Sequence, residues 1–166
     1  LVEVCANVAR KVDAPLRQPL VSGLIGLVAG VPTNLCNREK QDMAKLGYVC
    51  IGTNDYDAAT KFYDALLGEI GGKSLMPTPV GVLYRLGSGA MVMVNRTHNG
   101  EKATAGNGTM FAIEVDSKEQ VASLHAKALE LGGTCEGEPG PRGAFGDFSY
   151  VRDLDGNKLA FYFTGR

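Results

Sequence analysis

The stretch Tyr48 to Gly72, YVCIGTNDYDAATKFYDALLGEIGG, returns in altered form at Met110 to Gly133, MFAIEVDSKEQVASLHAKALELGG. Tyr48 aligns with Met110, 62 positions on, and the same offset carries Ile51 onto Ile113, Asn54 onto Asp116, Ala59 onto Val121, Phe62 onto Leu124 and Leu67 onto Leu129. Each copy begins with an apolar-rich run of strand length, passes a short polar turn and continues as an apolar stripe at helical spacing. Each closes on Gly-Gly, which suits a helix C-terminus because glycine accepts positive φ. Two copies are too few for a solenoid, whose units bury their apolar faces only by stacking several in a row. The pattern describes two halves of one duplicated domain.

Working outward, residues 47–52 read as a strand with Val49 and Ile51 on one face and Tyr48 and Cys50 on the other. Asn54-Asp55 supplies an N-cap, and the helix beyond it carries Ala59, Phe62, Leu66 and Ile70 on one stripe. Asp57 and Asp64 lie off that stripe and read as solvated. Pro77 and Pro79 mark an edge strand or a bent connection. Residues 82–86 and 91–95 are short strands joined by Gly87-Ser88-Gly89, a hairpin signal. In the second half, residues 108–115 repeat the strand, Asp116-Ser117 the cap and residues 117–131 the helix. Residues 136–146, rich in Gly and Pro, read as a loop. Residues 148–152 and 158–164 are strands, joined by the tight turn Asp153-Leu154-Asp155-Gly156-Asn157.

Each half thus follows the order strand, helix, three strands. The fold class is α+β: two βαβββ modules, 46–105 and 106–166, forming a concave, barrel-like mixed sheet with one helix covering each module.

A length of 166 residues suits one domain plus an appendage. The net charge of −1 and a pI near 6.2 imply no polyanion and no membrane surface as partner. Four cysteines, Cys5, Cys36, Cys50 and Cys135, lack CxxC spacing; Cys50 reads as a buried free thiol and the compartment as reducing and cytoplasmic. Residues 1–45 have a different texture. Their apolar run, Leu20 to Val31, spans only about 18 Å as a helix, and crossing a bilayer takes roughly 20 apolar residues. Arg10, Lys11 and Arg17 before the run, with Ala29 and Gly30 at its end, permit a signal peptide. Two prolines and two acids in the basic part count against it. The expectation is an extension packing on the domain or a partner subunit, or sequence translated upstream of the natural start.

The order of elements, with GTNDYDAATKFYDALL and the closing DLDGNKLAFYF, resembles the vicinal oxygen chelate superfamily of glyoxalases, bleomycin-resistance proteins and extradiol-type dioxygenases. The resemblance covers residues 46–164, with Leu154 where Pro is commoner. Enzymes of that superfamily hold a divalent metal through His and Glu side chains on the first, fourth, fifth and eighth strands. Those positions fall here on Tyr48, on Met91 or Met93, on Met110 and on Ala160. None is a usual ligand for a hard or borderline cation, so the expectation is no metal and no cofactor. His98, in a linker, and His125, on a helix flank, lie away from the concave face. The resemblance further implies a homodimer.

By alternation the concave face presents Tyr48, Cys50, Met91, Met93 and Met110 from the first strands, with Ala112 and Glu114. The last strands add Lys158, Ala160 and Tyr162, joined by Phe148, Tyr150 and Arg152. Three methionines and several aromatics make an adaptable apolar lining with a few polar groups to orient a guest. Ala160 leaves room where the resemblance places a ligand. Glu114 and Lys158, both pointing inward, pair with each other if buried; the choice lies between a salt bridge at the rim and a general base at Glu114. Arg142 offers a fork for a ligand carboxylate or a solvated loop charge. The function expected is metal-independent binding or sequestration of a small, largely apolar molecule, with a metal-free lyase or isomerase using Glu114, Lys158 or Tyr48 as the alternative. Bleomycin is disfavoured, because a cationic drug wants an acidic cleft.

Overall fold

Alternating apolar residues, punctuated by caps and glycines, lay down the same five elements twice. In the computed structural model, which describes residues 46–165, the first module comprises β1 (Val49–Gly52), α1 (Tyr56–Gly68), β2 (Lys73–Pro77), β3 (Gly81–Arg85) and β4 (Met91–Asn95). The second comprises β5 (Phe111–Glu114), α2 (Lys118–Glu130), β6 (Thr134–Pro141), β7 (Asp147–Arg152) and β8 (Lys158–Phe163). Each module forms a four-stranded sheet, ordered β1-β4-β3-β2 and β5-β8-β7-β6. The first strand of each runs parallel to the last, and the other neighbours are antiparallel. The expectations for residues 1–45, including Cys5 and Cys36, lie outside the described residues. No helix among the described residues is long and apolar enough to cross a membrane.

The helices start and stop on local chemistry. The Asp55 carboxylate accepts from the Ala58 N–H at 3.0 Å, and the Ser117 hydroxyl accepts from the Gln120 N–H at 3.2 Å. Both satisfy donors that a first helical turn leaves free. At the other end Gly71 and Gly132 take φ of 71° and 95°, and the N–H groups of Gly72 and Gly133 return to Leu67 O and Ala128 O at 2.8 and 2.9 Å. A Cβ on Gly72 would stand 2.7 Å from Leu67 O, so glycine is required there. The first module carries one more residue between helix and Gly-Gly, and the repeat offset steps from 62 to 61 there.

One apolar cluster joins the helix-covered faces of both sheets. It takes Ile51, Val82, Tyr84, Val92 and Val94 from the first sheet and Ile113, Val151, Leu159 and Phe161 from the second. Ala59, Phe62, Tyr63, Leu66 and Leu67 of α1, Val121, Leu124 and Ala128 of α2, and Leu86 and Val115 complete it. Each large side chain fully buried there contributes about 1.5–3 kcal/mol. Asp64 is not merely solvated, since the buried Tyr84 hydroxyl donates to it at 2.9 Å.

The reading of residues 136–146 as a loop is corrected over residues 136–141 and stands for residues 142–146. β6 extends to Pro141 as the outermost strand of its sheet, where the missing N–H groups of Pro139 and Pro141 interrupt no interior ladder. Register shifts at Cys135/Gly137 and Gly137/Gly140 break the alternation that makes a strand legible in sequence.

The two stretches that carry the family resemblance meet in space. The Asn54 backbone N–H and side-chain amide donate to Asp155 Oδ1 at 2.9 and 2.7 Å, and the Asn157 side chain donates to Gly52 O at 3.0 Å. The Tyr63 hydroxyl reaches from α1 to Asp153 Oδ2 at 2.7 Å. Asp153 also accepts from the Asp155 and Asn157 N–H groups and the Asn157 amide. Burial, then the negative charge and hydrogen bond of Asp153, hold the Tyr63 phenol well above its usual range. Tyr63 donates to this carboxylate, and the turn between β7 and β8 latches the second module onto the first.

Candidate functional site

The faces of the two sheets turned away from the helices carry the side chains expected to meet a ligand. Tyr48 and Met110 precede the equivalent strands β1 and β5 and are 41 % and 43 % exposed. Cys50, Ala112 and Glu114 are exposed, and Met91 and Met93 are half-buried beside the fully covered Val92 and Val94. Phe148, Tyr150, Arg152, Lys158 and Tyr162 are likewise half-buried, alternating with buried Ser149, Val151, Leu159 and Phe161. The alternation thus brings these residues onto the open faces of the two sheets.

On the second sheet, register builds a platform. Phe148 lies opposite Tyr162 and Tyr150 opposite Ala160 across the β7–β8 ladder. The rings of Phe148 and Tyr162 stack at 5.1 Å with 13° between planes; those of Phe148 and Tyr150 lie 6.3 Å apart at 23°. The Lys158 ammonium stands 5.1 Å from the Tyr150 centroid, within cation–π range. Lys158 and Arg152 both reach Glu136, at 3.4 and 2.6 Å. The Arg152 hydrogen bond, aided by the Lys158 charge, holds the Glu136 carboxyl below its ordinary range.

Four expectations are corrected. Glu114 and Lys158 do not pair, because β5 and β8 run parallel with Glu114 opposite Tyr162. That register puts Lys158 four residue steps, about 13 Å, from the partner position. Glu114 instead accepts from the Thr164 hydroxyl at 3.0 Å. Ala160 opens no space: it is 0 % exposed, enclosed in the sheet between the register positions of Ala112 and Tyr150. Arg142 does not present its fork, since its guanidinium donates to the carbonyls of Glu138, Gly140 and Pro141. Cys50 is exposed rather than buried. His125, expected on a helix flank, is 4 % exposed and sits against Cys135.

Part of the expected lining falls in two separate hollows. One of about 680 Å³ lies between the end of α1, the β3–β4 turn and β5, with Ala112, Glu114 and Tyr162 on its wall. Another of about 110 Å³ is lined by Cys50, Met110, Lys158 and the backbone neighbours of β1 and β5. Met91, Met93, Phe148, Tyr150 and Arg152 line neither. The strand positions at which the resembled superfamily seats a divalent ion hold phenol, thioether and methyl groups at Tyr48, Met91 or Met93, Met110 and Ala160. With Ala160 enclosed and no imidazole or carboxylate at any of the four, this donor set does not fit such an ion.

The comparisons with known proteins bear on the family and the fold. The family model of the Glyoxalase/Bleomycin resistance protein/Dioxygenase superfamily matches residues 45–161. A glyoxalase/bleomycin resistance protein from Albidiferax ferrireducens T118 is 35% identical in its crystal structure, covering 71% of this chain and 97% of its own, with a TM-score of 0.65. The fold alone is shared with the fosfomycin resistance protein FosX from Listeria monocytogenes (14% identity, 73% and 93% of the chains, TM-score 0.57). The same holds for a lactoylglutathione lyase from Agrobacterium tumefaciens (19%, 74% and 96%, TM-score 0.57). No curated protein matches in sequence.

Proposed function

Because the chain belongs to the glyoxalase/bleomycin resistance protein/dioxygenase superfamily, we propose that it binds or sequesters a small, largely apolar molecule on its open sheet face, without a divalent ion in the family position. The observation that carries this reading is the platform of Phe148, Tyr150 and Tyr162. Three half-exposed rings lie near parallel, with the Lys158 cation at one end. Such a surface receives a flat unsaturated body by stacking, and Lys158 with Arg152 orients an anionic group on it. A ligand carboxylate would compete with Glu136 for those two cations.

The chain has no Trp and six tyrosines, so its emission comes from tyrosine, with Tyr150 and Tyr162 two of the six sources. Titration with flat aromatic carboxylates should quench it saturably. Phe148→Ala should weaken binding by about 10-fold, in line with about 0.5–1.5 kcal/mol for an aromatic pair. A flat response across that class, or equal affinity in the variant, contradicts the proposal.

A second reading, a lyase or isomerase acting without metal, draws on the Glu114 carboxylate at the wall of the 680 Å³ hollow. It is the weaker one, since Glu114 is exposed and Lys158 lies at the far end of the strand pair. Turnover abolished by Glu114→Gln would restore it.

A further inference from the structure

We infer that His125, Cys135 and Glu138 form a binding site for one divalent first-row ion, with zinc the best fit, at the corner where α2 meets the edge strand β6. Among the described residues they are the one group of three ligating side chains whose donor atoms lie within 4.8 Å of one another. His125 Nε2 is 3.3 Å from Cys135 Sγ, and Cys135 Sγ is 3.3 Å from Glu138 Oε1. Around a tetrahedral zinc ion, bonds of about 2.3 Å to sulfur and about 2.0 Å to nitrogen or oxygen set neighbouring ligand atoms about 3.5 Å apart. Two of the triad's three edges, at 3.3 Å, are close to that spacing, and the third lies within 4.8 Å.

The bulge in β6 explains why these residues converge. In a regular strand Cys135 and Glu138, three positions apart, face opposite sides. Here Cys135 stands opposite Val151 and Gly137 opposite Tyr150, so one extra residue is inserted between them. That insertion returns Glu138 to the side of Cys135, the helix-covered side, where α2 presents His125. The loop beyond is braced from behind by Arg142, which donates to Glu138 O at 2.8 Å. One imidazole, one thiolate and one carboxylate suit a borderline ion, and three protein ligands leave a fourth position for water or an exogenous group.

As the zinc–sulfur bond forms, the thiol proton passes to solvent, with no redox change, and affinity climbs with pH. Binding ties an edge strand interrupted by two bulges to its covering helix. It stabilises the native state by mass action.

The test titrates the metal-free full chain with Co²⁺, following the near-ultraviolet thiolate-to-cobalt band, and then measures zinc affinity against a chromogenic chelator. One equivalent should bind and give the band, and zinc should displace it. Cys135→Ser should abolish the band and weaken zinc by about 100-fold or more, beyond the upper range for losing an outer-sphere partner. Glu138→Gln, a change at an exposed side chain that leaves folding intact, should keep the band and weaken zinc by at least about 10-fold. No stoichiometric uptake overturns the assignment. So does a band that persists in Cys135→Ser, or affinity unchanged in both variants.

Discussion

At the corner between covering helix and edge strand, the first module sets Tyr63, Ser74 and Pro77 where the second sets His125, Cys135 and Glu138. The strand pairing is alike in both as far as the first bulge. Ser74 faces the buried Tyr84 as Cys135 faces the buried Val151, and a bulge follows each. The side chains serve different ends. Tyr63 spans the module boundary to Asp153, whereas His125 turns to its own edge strand and meets a thiol and a carboxylate. Duplication has kept the scaffold, and each copy has spent the same position on a different task. In the first it holds the modules together, and in the second it assembles donors.

The comparison breaks first at the latch. Asp153→Ala leaves four donors without their acceptor, three of them on or beside the β7–β8 turn, and should destabilise the fold by about 3 kcal/mol or more in denaturant titration. Tyr63→Phe removes one of those donors and leaves the others, and should cost about 1–2 kcal/mol. If Tyr63→Phe were neutral, the first-module corner would have no assembly role. The smallest effect belongs to Glu136, whose carboxyl is lowered in the folded state by Arg152 and then Lys158. A lowered folded-state pKa gives stability present above the ordinary glutamate range and lost as pH falls through the folded value. Thermal unfolding of Glu136→Gln should therefore lie slightly below wild type at neutral pH and converge with it in acid. A gap that widens in acid would reverse the sign of this assignment.

The duplicated stretch made the fold legible because its period switches from strand to helix once in each copy. Faces were legible for the same reason: Val92 and Val94 against Met91 and Met93, and Leu159 and Phe161 against Lys158 and Tyr162. β6 was not, since its prolines, glycines and bulges erase alternation, and with it went the meeting of Cys135, Glu138 and His125. The separation of Glu114 from Lys158 depends on strand direction, which side-chain parity does not encode. The clamp between Asn54 and Asp155 joins positions 101 apart and has no local sequence signal. The pairing of Tyr63 with His125 in the repeat was visible; what each touches was not.

The most direct test is to locate an ion. Crystals of the protein equilibrated with stoichiometric Zn²⁺ and measured on either side of the zinc absorption edge should give one anomalous peak, bonded to His125 Nε2, Cys135 Sγ and a Glu138 oxygen, with none among Tyr48, Met110 and Ala160. A peak among those three residues, with the second-module corner empty, would contradict both the loss of the family metal position and the gain of the new one.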